Sequence, residues 1–317
     1  MPKIPFTKTA KTYQEQLQLL KDRGLKIDSD NKALHLLRKL SYYRLSGYWY
    51  PFLEEPKTSH VFKPGSNFQT AFRLYRFDRD LRIFILKELE KIEVSIRSEM
   101  IYTFSHYMGA FWITDSTLFS NAWKHNETLK KLKAGFDKSD EEFVKAFKLK
   151  YSDTLPPAWM LLEITSFGSL SIIYSNLKSG RSKREIAHHF GLDDTTFASW
   201  IHSFVYIRNV CAHHSRLWNR GMTIKPQIPT TPDNTWLNNT TVKNNRTYFI
   251  LSMILYLLQS VDKKHQFIFR CKLLLKKYPN VDVKAMGFPE NWELEPLWKF
   301  KPTIKQRIRI MICRALK

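Results

Sequence analysis

The chain is 317 residues long, 43% hydrophobic and 14% aromatic, which leaves room for one large domain or two small ones and excludes a disordered chain. Its 51 lysines and arginines against 29 aspartates and glutamates give a formal net charge of +22. A surplus of that size points to a polyanionic partner, since basic surfaces gain by releasing counterions from phosphates, although solubility alone or an anionic membrane surface would use it too.

In chain order, residues 11–25 (KTYQEQLQLLKDRGL) carry apolar positions at helical spacing and stop at Gly24. The next stretch, DSDNKALHLLRKLSYYRLSGYWYPF, starts at an Asp28 or Ser29 cap and stops at Gly47 and Pro51, making a helical hairpin of roughly 40 residues. In 67–107, Leu74, Phe77, Leu81, Phe84, Ile85, Leu89, Ile92, Ile96 and Met100 step by threes and fours along one face of a long helix. Glu93 and Arg97, four apart, can pair on its surface. A charged helix is expected over 124–151, ending before Pro156-Pro157, and another over 158–178 with a break around Gly168. Residues 225–245, rich in Pro, Asn and Thr, read as a loop. A last helix over 246–276 precedes a basic tail ending IKQRIRIMICRALK.

Internal repeats and convincing strand pairs are missing, so the expected fold is all-α. The expected organisation is a helical hairpin (1–60) packed on a main helical domain (61–276), with a basic helical extension (277–317). Cys211, Cys271 and Cys313 are too far apart for a disulfide framework or a zinc knuckle. The opening residues lack an apolar signal-peptide core, and the longest apolar run, 248–258, is too short to span a bilayer. A cytoplasmic protein without membrane spans follows.

Between 178 and 225 the segment RNVCAHHSRLWNR (208–220) raises a chemical question, because polar groups seldom sit on a core-facing helix stripe. A helix from about Thr195, capped by Asp194 or Thr195 itself, to Arg220, ended by Gly221, puts Phe197, Trp200, Ile201, Phe204, Cys211 and Trp218 on an apolar stripe together with Arg208 and Ser215. A second, polar face collects His202, Tyr206, Asn209, His213, Arg216 and Arg220. A guanidinium on the stripe either pairs with a carboxylate such as Glu93 or Glu163 or faces a functional cleft. Arg208 and His213 lie about 140° and 7.5 Å apart along the helix. A long arginine can still swing to meet a phosphodiester beside the imidazole, and two such helices across a two-fold axis would bring two of each around one cleft. That set can cleave RNA without metal: histidine moves protons, arginine holds phosphate, and the 2′-OH is the nucleophile.

YIRNVCAHHSRLWNR resembles the signature of the Abi-like family, bacterial abortive-infection proteins of the HEPN superfamily. KALHLLRKLSYYRLSGYWYPF (32–52), YRFDRDLRIFILKELEKIEVSIRSEM (75–100) and PPAWMLLEITSFGSLSIIYSNL (156–177) resemble the same family in the same order, so the likeness covers roughly residues 10–260. The resemblance implies an all-α HEPN bundle, often homodimeric, whose R-x4-6-H motif forms a metal-independent endoribonuclease site without a cofactor. Carried over, Arg208 holds the scissile phosphate, His213 is the acid/base group and Asn209 orients one or both. His214 and Arg216 belong to the Abi-like signature. With Tyr206, Arg220, Glu93 and Arg97 they are expected to support the site or touch RNA. Family context implies a growth-arresting role in anti-phage defence, with RNA as substrate and an antitoxin or regulatory RNA as a partner.

Two other readings use the same chain. KREIAHHFGLDDTTFASWI (183–201) resembles a helix-turn-helix with Gly191 at the turn, which would make a DNA-binding protein. A HEPN-like module could also grip RNA without cutting it. Adjacent His188 and His189 point about 100° apart on a helix, with no Cys or carboxylate cluster to complete a metal site.

Overall fold

The computed structural model describes residues 5–299. The described residues form twelve α-helices joined by short 3-10 turns, with isolated bridges but no strand, so the fold is all-α. No helix among them is long and apolar enough to cross a membrane. The chain divides into two compact units, one made of the residues up to Leu81 with Leu274–Val281, the other of Arg82–Leu273 with the residues from Asp282 on.

The first unit begins with α1 (Tyr13–Asp22), where Thr12 and Glu15 form a capping box. Its end is a Schellman motif: Gly24 N–H bonds to Lys21, Leu25 N–H bonds to Leu20, and Gly24 takes the left-handed φ of +87°. Ser29 caps α2 (Asp30–Leu40). The expected run to Gly47 is broken earlier, because Ser41 at φ 64° ends α2 and caps α3 (Tyr42–Trp49) with its hydroxyl. Gly47 sits inside α3, and Pro51 follows it. The apolar stripe of α4 (Phe68–Met108) matches its expected face: Leu74, Phe77, Leu81, Ile85, Leu89, Ile92, Ile96 and Met100 are buried, with Phe84 at the margin. Within this unit the buried Asp78 accepts from Tyr48 Oη at 2.6 Å. Asp80 accepts from Lys277 and Tyr278 at 2.8 and 2.7 Å.

In the second unit the 124–151 segment is two helices, α5 (Ala122–Lys138) and α6 (Glu142–Lys150). The 158–178 segment is a single turn, α7 (Ala158–Leu161), and α8 (Phe167–Asn176). The break falls at 162–166 rather than at Gly168, because Ser166 caps α8 through its hydroxyl and Gly168 lies in the first turn. α9 (Arg181–His189) and α10 (Asp194–Ala212) follow. The last helical stretch is α11 (Thr247–Val261) and α12 (Phe267–Lys277), separated at Asp262. All of 247–258 is buried, so the longest apolar run is core. Lys91 binds Asp262 and Glu88 at 3.0 Å, and Arg270 binds Glu88 at 3.2 Å, clasping α4 to the α11–α12 junction. Within the 277–317 extension, Lys284–Met286, Trp292–Leu294 and Pro296–Trp298 are 3-10 turns, and Leu297 and Trp298 are buried. IKQRIRIMICRALK and Cys313 lie outside the described residues, while Cys211 and Cys271 are buried thiols.

Candidate functional site

α10 starts one residue earlier than the wheel placed it, at an Asp193 cap whose carboxylate accepts from Thr195 and Thr196 N–H. It ends eight residues short of Arg220, at Ala212. His213 N–H still bonds to Asn209 at 2.9 Å, so the helical path runs through His213. His214 then takes φ 56°, its N–H bonds to Cys211 at 3.0 Å, and Ser215 N–H bonds to Val210 at 3.0 Å. This is a second Schellman motif with histidine at the left-handed position. Histidine is one of the few non-glycine residues that tolerate that region. The spacing between Arg208 and His213 is therefore that of a helix, whereas wheel positions beyond 213 do not hold.

Beyond the motif the chain turns back. Continued as a helix, Arg220 would lie about 21 Å along the axis from Tyr206, yet its guanidinium carbon is 6.0 Å from the Tyr206 ring centroid. Arg220 Nη1 also donates to the Arg216 carbonyl at 3.3 Å. Burial pushes the Tyr206 phenol up, but the Thr223 hydrogen bond and the Arg220 charge outweigh it and hold the group below its ordinary value. Trp218 is buried, as the stripe required, and Leu217 is buried beside it in sequence, but both lie on a returning stretch of chain rather than a helix. Trp218 Nε1 donates to the Asp282 carbonyl.

Arg208 is half-buried at the edge of the apolar arc formed by Phe204, Ile207 and Cys211. Its Nη1 donates to Asn209 Oδ1 at 3.2 Å, and it pairs with no carboxylate among the described residues. Glu93, one of the partners considered for it, binds Arg97 at 2.9 Å instead. Arg97 also donates to the Thr165 carbonyl at 3.0 Å, just before α8. α8 packs on α10, where a Cβ on Gly168 would meet Val205 Cγ1 at 3.8 Å. Glu93 and Arg97 thus brace the neighbour of α10 and make no bond to Arg208 or His213. His202, His213 and His214 are exposed, and Asn209 and Arg216 are half-buried.

One residue absent from the sequence-based set is Arg82. It is buried on α4, and its Nη1 donates to the Ser215 carbonyl at 3.3 Å, fixing the turn that carries the two histidines. Its only sequence signal is an arginine one step from the apolar stripe, between Leu81 and Phe84.

A helix C-terminus repels anions through its exposed carbonyls. Here the Schellman bonds occupy those of Val210 and Cys211, and Arg208, Arg216 and Arg220 supply positive charge from the helix end and the returning chain. An exposed imidazole beside guanidinia can move protons at a bound phosphodiester.

The features behind the other readings are also placed. α9 and α10 do meet at Gly191, in a third Schellman motif, but the first turn of α10 presents Asp193 and Asp194 where a recognition helix would approach phosphates. Trp200 and Ser199 on that helix are bonded to Gln227. His188 and His189 diverge to different carboxylates, Asp233 at 3.5 Å and Glu99 at 3.7 Å. Among the described residues no three His, Cys, Asp or Glu side chains converge as a metal site.

The family model described as Abi-like protein matches residues 35–219, more than half of the chain and ending within the returning segment. No curated protein and no solved structure matches.

Proposed function

The chain belongs to the Abi-like protein family, and from that premise we propose that it is a metal-independent endoribonuclease that arrests growth in abortive infection. The observation that carries this reading is the Arg208 guanidinium. It is oriented by Asn209 at the end of α10, no carboxylate among the described residues neutralises it, and about 7.5 Å of helical rise separates it from the exposed His213. A chain of net charge +22 is suited to bring a phosphodiester there.

In this mechanism the 2′-oxygen attacks the adjacent phosphorus while its proton passes to a neutral imidazole. The P–O5′ bond breaks, the leaving 5′-oxygen takes a proton from an imidazolium, and the products are a 2′,3′-cyclic phosphate and a 5′-OH. Arg208 stabilises the charge that builds on the phosphoryl oxygens. One His213 cannot be base and acid in the same step. A homodimer that places two copies of α10 around one cleft supplies both. Tyr206, Arg216 and Arg220 extend the surface that an RNA strand meets, and an antitoxin or regulatory RNA restrains the activity.

RNA cleavage by wild type, Arg208→Ala and His213→Ala in the presence of EDTA tests the reading. Cleavage that survives chelation, leaves a cyclic phosphate and is lost in both variants is expected. Tight RNA binding with no cleavage by any form would replace the enzyme with a binding module.

A further inference from the structure

Away from the end of α10, a cavity of about 490 Å³ opens in the second unit beside the loop that precedes α11. Lys243, Arg246 and Lys284 bring three cations to it, Asn239 and Asn245 bring amides, and none of its lining residues is a carboxylate. Phe288 and Pro289 give it an apolar wall. The volume falls in the range that takes small organic ligands.

Arg246 is built in rather than loose. Its Nη2 donates to Asn219 Oδ1 at 3.1 Å and to the Ala285 carbonyl at 2.6 Å. Its Nη1 and Nε make no bond among the described residues and stay available to an acceptor. Gly287, at φ +85°, packs directly on its stem: a Cβ there would come within 2.6 Å of Arg246 Cβ. Only glycine fits, so the backbone wall and the arginine hold each other in place. Lys284 is shared, because its Nζ reaches Glu290 Oε1 at 2.9 Å, an exposed pair that an incoming anion competes with. Lys243 is exposed and has no carboxylate partner among the described residues.

A fixed guanidinium, two lysines and two amides suit a compact anion with several oxygen acceptors. We propose that this cavity binds a small phosphomonoester of nucleotide size, its phosphate among Lys243, Arg246 and Lys284 and its less polar part against Phe288 and Pro289. The ligand would also steady the chain that follows Arg216, since Arg246 holds Asn219 and Met222 N–H bonds to the Asn245 carbonyl at 2.8 Å. The proposal is independent of whether the chain cuts RNA.

Titration calorimetry on the full chain at fixed ionic strength tests it, using adenosine monophosphate, pyrophosphate and adenosine as probes. The two phosphorylated probes bind and adenosine does not. Lys243→Glu weakens binding at least about tenfold. Lys130→Glu, an exposed site on α5 outside the cavity, leaves it unchanged, and hydrogen exchange slows at 241–246 and 284–289. The proposal is overturned if neither phosphorylated probe binds. It is equally overturned if adenosine binds as well as they do, or if Lys130→Glu weakens them as much as Lys243→Glu, which would mean diffuse attraction to a basic surface.

Discussion

Arg208 is oriented by an amide, and the choice of amide over carboxylate has a chemical consequence. An asparagine oxygen positions the guanidinium without cancelling its charge, whereas an aspartate at the same place would form an ion pair and occupy the group proposed to receive the phosphate. Asn209→Asp is therefore expected to keep the fold and lower RNA affinity about tenfold, read as a shift in the RNA concentration needed for half-saturation. An unchanged affinity would mean that Arg208 does not meet the phosphate. Arg208 and His213 were legible as a pair because their spacing is local and the helix runs through both. The degree of burial of Arg208 was not, since the wheel places it on the stripe while the structure leaves it at the edge of the arc. Arg82 was hidden for another reason: its partner is a backbone carbonyl 133 positions away, at Ser215, and no local pattern reports that.

Helix ends decide what these elements present. α1, α9 and α10 all end in Schellman motifs, with Gly24, Gly191 and His214 at the left-handed position. Gly24 was readable as a stop. The end of α10 was not, because no glycine or proline lies between Arg208 and Arg220 and the chain stops on a histidine instead. Ser41 breaks α2 from α3 in the same unsignalled way. The positive φ at His214 separates two substitutions. His214→Gly should keep the helix end and stay within about 1 kcal/mol of wild type, whereas His214→Val, β-branched at that φ, should cost about 1–2 kcal/mol. Urea unfolding of both variants measures the difference, and equal stabilities would rule out the motif. The α11–α12 junction behaves differently with pH. His265 Nδ1 accepts the Phe267 N–H, and burial holds its pKa below the ordinary 6.5, against the raising influence of Asp262 and Glu88 and with Lys91 adding to the depression. The unfolded chain therefore binds a proton on His265 more readily than the folded one, so its contribution to stability is complete above about pH 6.5 and falls as the pH drops through that value. Asp262, held below its ordinary 3.8 by Lys91 despite some burial, adds a second loss at lower pH. The melting temperature should thus decline between about pH 7 and about pH 5, and less steeply in His265→Gln.

At the scale of the whole molecule, the charge and the candidate site make one demand between them. A net +22 attracts any polyanion to the surface at large, so RNA affinity by itself would say little about where the proposed chemistry occurs, and the site must be located by how its parts combine. A single chain brings one Arg208 and one His213 to the end of α10, enough to hold a phosphate and move one proton. Transesterification moves two, one off the 2′-oxygen and one onto the 5′-oxygen. If a second copy supplies the other imidazole, a dimer of one wild-type and one His213→Ala protomer has a single imidazole in its cleft and cannot complete the step. Random exchange in an equal mixture puts about half of the dimers in the mixed form and leaves about a quarter wild type in both protomers. Cleavage at constant total protein should then follow the square of the wild-type fraction. A site complete within one chain predicts direct proportion to that fraction, because each wild-type protomer works whatever its partner. Titrating His213→Ala into wild type under conditions that allow subunit exchange, while following the cyclic-phosphate product, separates the two, and a curve that sags below the straight line is the signature of a cleft shared across a two-fold axis.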